Sequence, residues 1–309
     1  MPAIPPEELF SLAPGRPEVA GTVLVEMLDG FIDAGSARRL AREALLESGD
    51  PQPVATFDVD LLHDYRARRP PMVFDSDHWE SYEAPVLEVV RVLDAAGAPY
   101  LVLQGSEPDV MWGRFADAVV LLVEQLDVRL TVGTNAIPMA VPHTRPVGVT
   151  AHASRPELIR GYQPWVATVQ VPGSAGHLIE HRLAAAGRDS MGFAVHVPHY
   201  LAQAAFPPAA EAMIGSLARA TDLDLPTGML SEASREAQDS IAGLVAQSEE
   251  LVELVRTLET QYDAVVATRA EALDAGGTVA GQPLPTADEL GAELERFLAE
   301  QGRKRDDQG

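Results

Sequence analysis

Up to about residue 198, short apolar runs alternate with stretches of helical periodicity. The runs at residues 22–28, 54–59, 100–104, 128–132, 147–150, 166–171 and 193–195 read as strands. Most are apolar on both faces and bounded by Gly or Pro, the pattern of strands covered on two sides. Between them, apolar positions at helical spacing predict helices over residues 36–47, 85–95, 112–126 and 177–186. This βαβα order predicts an α/β fold, a mainly parallel sheet with helices on both faces.

From Pro207 onward strand signals vanish and Ala and Glu rise. Ser231 is placed to cap a helix with Glu232 in its first turn. Ile241, Leu244, Ser248, Leu251, Val255, Leu258, Tyr262 and Val265 then recur at three- and four-residue spacing. They predict one amphipathic helix of about 40 residues, on the order of 60 Å long, ended by Gly276-Gly277. Thr286 and Glu289 have capping-box spacing and open a last helix carrying Leu290, Leu294, Phe297 and Leu298. The organisation expected is an α/β sheet domain over 1–206, a helical region over 207–301 and a disordered tail over 302–309. An apolar stripe of that length needs cover, either from the sheet domain or from another copy in a homo-oligomer (dimer or trimer).

Composition narrows the chemistry. A chain of 309 residues accommodates roughly two domains, or one large α/β domain with an appendage. With 46% hydrophobic residues and a mean hydropathy of -0.01 it is ordinary globular material. The formal net charge of -23 argues against nucleic-acid partners. The first residues lack the basic and apolar regions of a signal peptide, and no apolar run approaches membrane-spanning length. A cytoplasmic protein with no membrane partner is expected. There is no Cys, which removes disulfides, thiolate nucleophiles and Cys-ligated metals. Lys304, in the tail, is the single lysine. Walker-type phosphate loops, Schiff-base chemistry and the lysine clamps of ATP-grasp ligases therefore have no lysine to use in the globular part.

In an open parallel sheet, ligands bind beyond the carboxyl ends of the strands, so the residues following each strand are the candidates. The turn Asp29-Gly30-Phe31-Ile32-Asp33 lacks a dinucleotide-binding spacing, and its acids would repel phosphate. Asp64, Tyr65, Arg66 and Arg69 form a dense polar cluster, fit either to grip a carboxylate or phosphate or to lock a loop by ion pairs. Glu107 and Asp109 precede a helix, as acid/base residues or as helix-capping ones. Asn135, His143, Arg145 and His152 lie in or near a proline-pinned segment, and His196 and His199 flank a later proline. The spacing of these histidines is not that of a zinc site, so no metal is expected. Ser174 follows a strand run in a Pro172-Gly173-Ser174 string, which departs from the G-x-S-x-G of a nucleophile elbow. No cofactor is expected, and no residue is assigned a catalytic role.

Several of these strings together are similar to a known family. They are Gly30-Phe31-Ile32-Asp33-Ala34-Gly35, Asp64-Tyr65-Arg66, Arg69-Pro70 and residues 105–109. With them come residues 137–146, above all Val141-Pro142-His143-Thr144-Arg145-Pro146, then Val171-Pro172-Gly173 and His196-Val197-Pro198-His199-Tyr200. The sequence resembles the actinobacterial branch of the proteasome assembly chaperone 2 family over about residues 23–203. The resemblance implies a phosphorylase/hydrolase-like α/β fold, an oligomer, and no established catalytic residues. It also implies partners such as proteasome subunits, which eukaryotic relatives escort during assembly.

Two functions are expected on these grounds. One is a non-catalytic protein-binding or assembly protein using the sheet domain and the long helix. The other is a small-molecule site, hydrolase-like or nucleoside-phosphorylase-like, built from Asp64, Tyr65, Arg66, Arg69, Glu107, Asn135, His143, Arg145, His152, His196 and His199 at the strand ends.

Overall fold

A computed structural model of the chain describes residues 4–30, 32–162 and 168–274. In chain order the elements are β1 (Phe10–Leu12), β2 (Val23–Asp29), α1 (Ala37–Ser48), β3 (Gln52–Phe57) and the single turn α2 (Val59–Leu62). Next come β4 (Met72–Asp75), β5 (His78–Tyr82), β6 (Leu87–Leu93), β7 (Pro99–Ser106), α3 (Trp112–Gln125), β8 (Leu130–Met139) and β9 (Val149–Ala153). They are followed by α4 (Ala175–Ala185), β10 (Ser190–Pro198), α5 (Pro207–Thr221), α6 (Ser231–Val245) and α7 (Glu249–Asp274).

Eight strands form one sheet in the order β1-β3-β6-β7-β2-β8-β10-β9, and β4 and β5 form a separate hairpin. The α/β architecture with helices on both faces is present. Parallel pairing joins the four central strands β7, β2, β8 and β10, and the flanking pairs are antiparallel. The central strands are apolar on both faces because both are covered. Val23, Val25 and Met27 of β2 pack with Phe193 against α1 and α5. Leu24 and Leu28 pack with Leu101 and Leu103 against α3 and α4. At about 1.5–3 kcal/mol per buried large side chain, these two layers hold the sheet.

The stretch 85–95, expected as a helix, is strand β6. Leu87 and Val89 enter one core layer, Val90 and Val92 the other, so the alternation that decides is period two, reinforced by β-branched residues. The expected strand at 166–171 begins outside the described residues, and Thr168–Val171 is exposed and belongs to no strand. The single long helix is two. Ser248 interrupts the apolar stripe, and its hydroxyl accepts from the Leu251 N–H at 3.3 Å, so the residue starts a new helix instead of continuing the old one. Helix α5, the start of the helical region, is built into the sheet's core through Ala209, Ala210, Met213, Ile214 and Leu217. Gly276-Gly277, the helix opened by Thr286 and the tail 302–309 lie outside the described residues. No helix among those described is long and apolar enough to cross a membrane.

The stripe on α7 is covered within the same chain. Val255 and Leu258 are buried, and Tyr262 and Val265 pack on Met139, the last residue of β8, and on Val141 just past it.

Candidate functional site

Strand register brings one row of side chains to the α4 face of the sheet. Glu26 of β2 pairs with Gly133 of β8, Gly133 with Gly192 of β10, and Gly192 with His152 of β9. One step further along are Asn135, Ala194 and Thr150. Alternation puts Val132, Ala136, Phe193 and Val195 on the opposite face, in the core. Although β8 and β10 are interior strands, Gly133, Asn135 and Ala194 are only partly buried. The sheet therefore has a strip of small residues open to solvent, with Glu26 at one end and His152 at the other.

Helix α4 forms the wall of this strip. Its His177 ring nitrogen Nε2 lies 3.4 Å from Asn135 Nδ2, and Glu180 Oε1 lies 2.8 Å from His152 Nδ1. The Asn135 amide donates to His177, which leaves that ring proton on Nδ1 and the imidazole neutral. Burial, followed by the positive potential of His152, pushes the His177 pKa down, in agreement with that state. A side chain at Gly192 could not coexist with His152, since its Cβ would stand 2.3 Å from His152 Cε1. Gly176 plays the same part for Glu26, with a Cβ 2.6 Å from Glu26 Oε2.

Glu26 is buried, and desolvation pushes its pKa up, partly opposed by Arg38. Its Oε1 accepts from the Leu28 N–H at 2.9 Å. Arg38 donates through its Nη groups to the Ile32 carbonyl at 2.7 Å and to the Thr134 carbonyl at 3.4 Å, and its Nε is buried without a hydrogen-bond partner. The N-terminus of α4 is also spoken for: Glu107 Oε2 accepts from the Ala175 N–H at 2.9 Å, and Ser174 accepts from the His177 N–H at 3.1 Å. Ser174 is thus a helix cap. Asp33 does the same at α1, accepting from the Arg38 and Arg39 N–H groups, so that helix start offers no seat to an anion.

The residues expected at the site fall into three places. Glu107, Asn135 and His152 join the group around α4, with His196 one row on, its Nε2 2.8 Å from the Thr150 hydroxyl. His143, Arg145 and His199 lie instead beyond β8 and β10, beside α7. There Arg145 forms a fork with Asp263 at 2.9 and 2.7 Å and also donates to Glu259 at 3.1 Å. Thr144 donates to Glu259 at 2.5 Å. The His143 N–H donates to the Tyr200 oxygen at 2.9 Å, and the same oxygen is hydrogen-bonded to His143 Nδ1 at 2.7 Å. Burial pushes Tyr200 up to about 12 and His143 down. Burial also lowers the His199 pKa, and its Nδ1 is buried without a hydrogen-bond partner.

Asp64, Tyr65, Arg66 and Arg69 are in the third place, the loop after α2. The Asp64 N–H donates to Asp109 Oδ2 at 2.9 Å, Arg68 pairs with Asp109 at 2.9 Å, and Tyr65 donates to Asp60 at 2.5 Å, which raises its pKa. Arg66 and Arg69 are exposed and make no ion pair with any described residue.

Glu26, Arg38, His177 and Glu180 did not stand out in the sequence. The signals available were a carboxylate inside an otherwise apolar central strand and a His and Glu three apart on one helix face. Among the described residues no group of three or more His or acidic side chains is arranged to hold a metal ion.

A search of curated proteins gives no match. Solved structures do. The chain is similar to the Mycobacterium tuberculosis protein Rv2714, of unknown function, at 44% identity and a TM-score of 0.81, covering 87% of this chain and 93% of that one. A Corynebacterium glutamicum protein of unknown function is 35% identical with a TM-score of 0.80, over 84% of this chain and 98% of that one. The M. tuberculosis proteasome-assembly chaperone homologue Rv2125 shares the fold, at 24% identity and a TM-score of 0.70, over 76% and 100%. The family model of the PAC2 family matches residues 27–245, and on that match the chain belongs to the PAC2 family.

Proposed function

We propose that this protein is a cytoplasmic, non-catalytic assembly protein that works by binding other protein surfaces, beginning with copies of itself in a dimer or trimer. The observation that carries this reading is the β4–β5 hairpin. Every residue of both strands is exposed, including Phe74 at 55% and Trp79 at 63%. Phe74 and Trp79 pack edge to face with centroids 5.1 Å apart, and Met72, Val73, Tyr82 and Val86 extend the apolar surface. An isolated two-stranded hairpin is marginal in water, and contiguous exposed aromatics of this kind are the composition of interface hot spots.

Charge favours a second copy as the occupant. Arg66 and Arg69, unpaired, precede the base of the hairpin, while Asp75 and Asp77 stand at its tip. Two hairpins packed head to tail about a two-fold axis would set each acidic tip on the other's arginines, the self-complementarity an isologous contact requires. The fold shared with a proteasome-assembly chaperone homologue makes proteasome subunits the client class in this reading.

Sedimentation of the full chain and of the variant carrying Phe74→Ser and Trp79→Ser tests it. The wild type is expected to associate, and the variant to associate at least tenfold more weakly, a loss of about 1.4 kcal/mol or more. Capture of proteasome subunits should fall in parallel. A wild type that sediments as a monomer at every concentration, or a variant that associates equally well, overturns the reading.

A further inference from the structure

The open strip on the α4 face is separate from the hairpin and raises its own question of what it holds. Two carboxylate oxygens converge over Gly133. A Cβ built on that glycine would lie 3.8 Å from Glu26 Oε2 and 4.0 Å from Glu180 Oε2. Glu180 turns its other oxygen to His152, and Glu26 turns its other oxygen to the Leu28 N–H. Neither Oε2 accepts a hydrogen bond from a described residue. Glu26 as a residue is only 4% exposed, so its open oxygen lies at the bottom of the strip and not on the outer surface.

From this convergence we infer that the strip seats the ammonium group of a small organic amine. The cation sits over Gly133 and donates to Glu26 Oε2 and Glu180 Oε2, and the body of the ligand lies across Ala194 toward the Thr150 hydroxyl.

The surroundings select against other ligands. A phosphate or carboxylate would meet the two carboxylates over Gly133, while Arg38 has its Nη donors on backbone carbonyls and its Nε, though unpartnered, is closed off by burial. Of the first-turn α4 amides, the other anion-seeking groups, those of Ala175 and His177 already face Glu107 and Ser174. A bare metal ion lacks a third acidic or imidazole ligand in the required arrangement among the described residues. An ammonium needs neither; two acceptors and a nearby hydroxyl suffice. The glycines at 133 and 192 supply the room. Binding also adds counter-charge to a buried carboxylate that Arg38 offsets only in part, which is where affinity beyond a surface ion pair would arise.

Isothermal titration of the full chain with propylamine, propanol, propionate and inorganic phosphate tests this. Propylamine is expected to bind saturably, and the other three not to bind. Glu180→Gln should weaken propylamine at least tenfold. Ala194→Val, which fills the floor without touching a charge, should weaken it as well, and decides the matter if the Glu180 variant fails to fold. Absence of saturable amine binding, equal or tighter binding of propanol, propionate or phosphate, or amine binding unchanged in both folded variants overturns the inference.

Discussion

Glu26 occupies the middle of β2, between Val25 and Met27 of one core layer and in line with Leu24 and Leu28 of the other. Burial raises its pKa in the folded chain above the ordinary value of 4.5. A carboxyl with a raised folded pKa contributes fully to stability only below its unfolded pKa, and that contribution is lost as pH rises through the folded value. Glu26→Gln should therefore stabilise the protein at neutral and alkaline pH, by about 2–4 °C in Tm if the gain is near 1 kcal/mol. The gain should vanish on acidification below pH 4.5. Thermal melts of both proteins across pH check this, and a Gln variant that is less stable at every pH would contradict it. At this scale the sequence drew attention to Glu107, which follows β7, and to Asn135 and His152, which lie within β8 and β9 and not beyond their ends as expected. It was silent on Glu26, His177 and Glu180, whose meeting depends on the register of β2 with β8 and on the placement of α4. The grouping of His143 and Arg145 was legible from the prolines around them, but not their partner, because Glu259 and Asp263 lie more than a hundred residues away.

At the scale of elements, α7 is strapped to the segment after β8 by Arg145, with Glu259 and Asp263 on the helix. The Arg145 hydrogen bond holds the Asp263 carboxyl below its ordinary pKa, so the strap persists above that range and loosens as pH falls through it. Arg145→Ala should speed hydrogen exchange across residues 249–268 while the central strands β2, β7 and β8 keep wild-type protection. High salt should act in the same direction, since the pair is partly solvent-exposed. Unchanged exchange in α7 would show that the Tyr262 and Val265 contacts alone hold it. The break between α6 and α7 was not read from the sequence, because the periodicity runs on through Ser248, the residue that caps the start of α7. Strand β6 shows the opposite limit: a short apolar run with Val at several positions satisfies both periods, and only its neighbours β3 and β7 decide.

For the molecule as a whole, the alternation of apolar strands and helices was enough to place the chain among α/β folds, because four central strands must be buried on both faces. The antiparallel flanks, and a hairpin lying outside the sheet, were not. β4 and β5 have the alternation and aromatic content of strands but no core to pack on among the described residues, so nothing local distinguishes them from a loop. That surplus apolar surface is what the proposed self-association covers. Hydrogen exchange of the hairpin amides as a function of protein concentration tests it most directly. Protection of residues 72–82 that rises with concentration, and is lost in the Phe74→Ser, Trp79→Ser variant, is the result predicted. Fast exchange of those amides at every concentration, with the wild type and the variant indistinguishable, would contradict it.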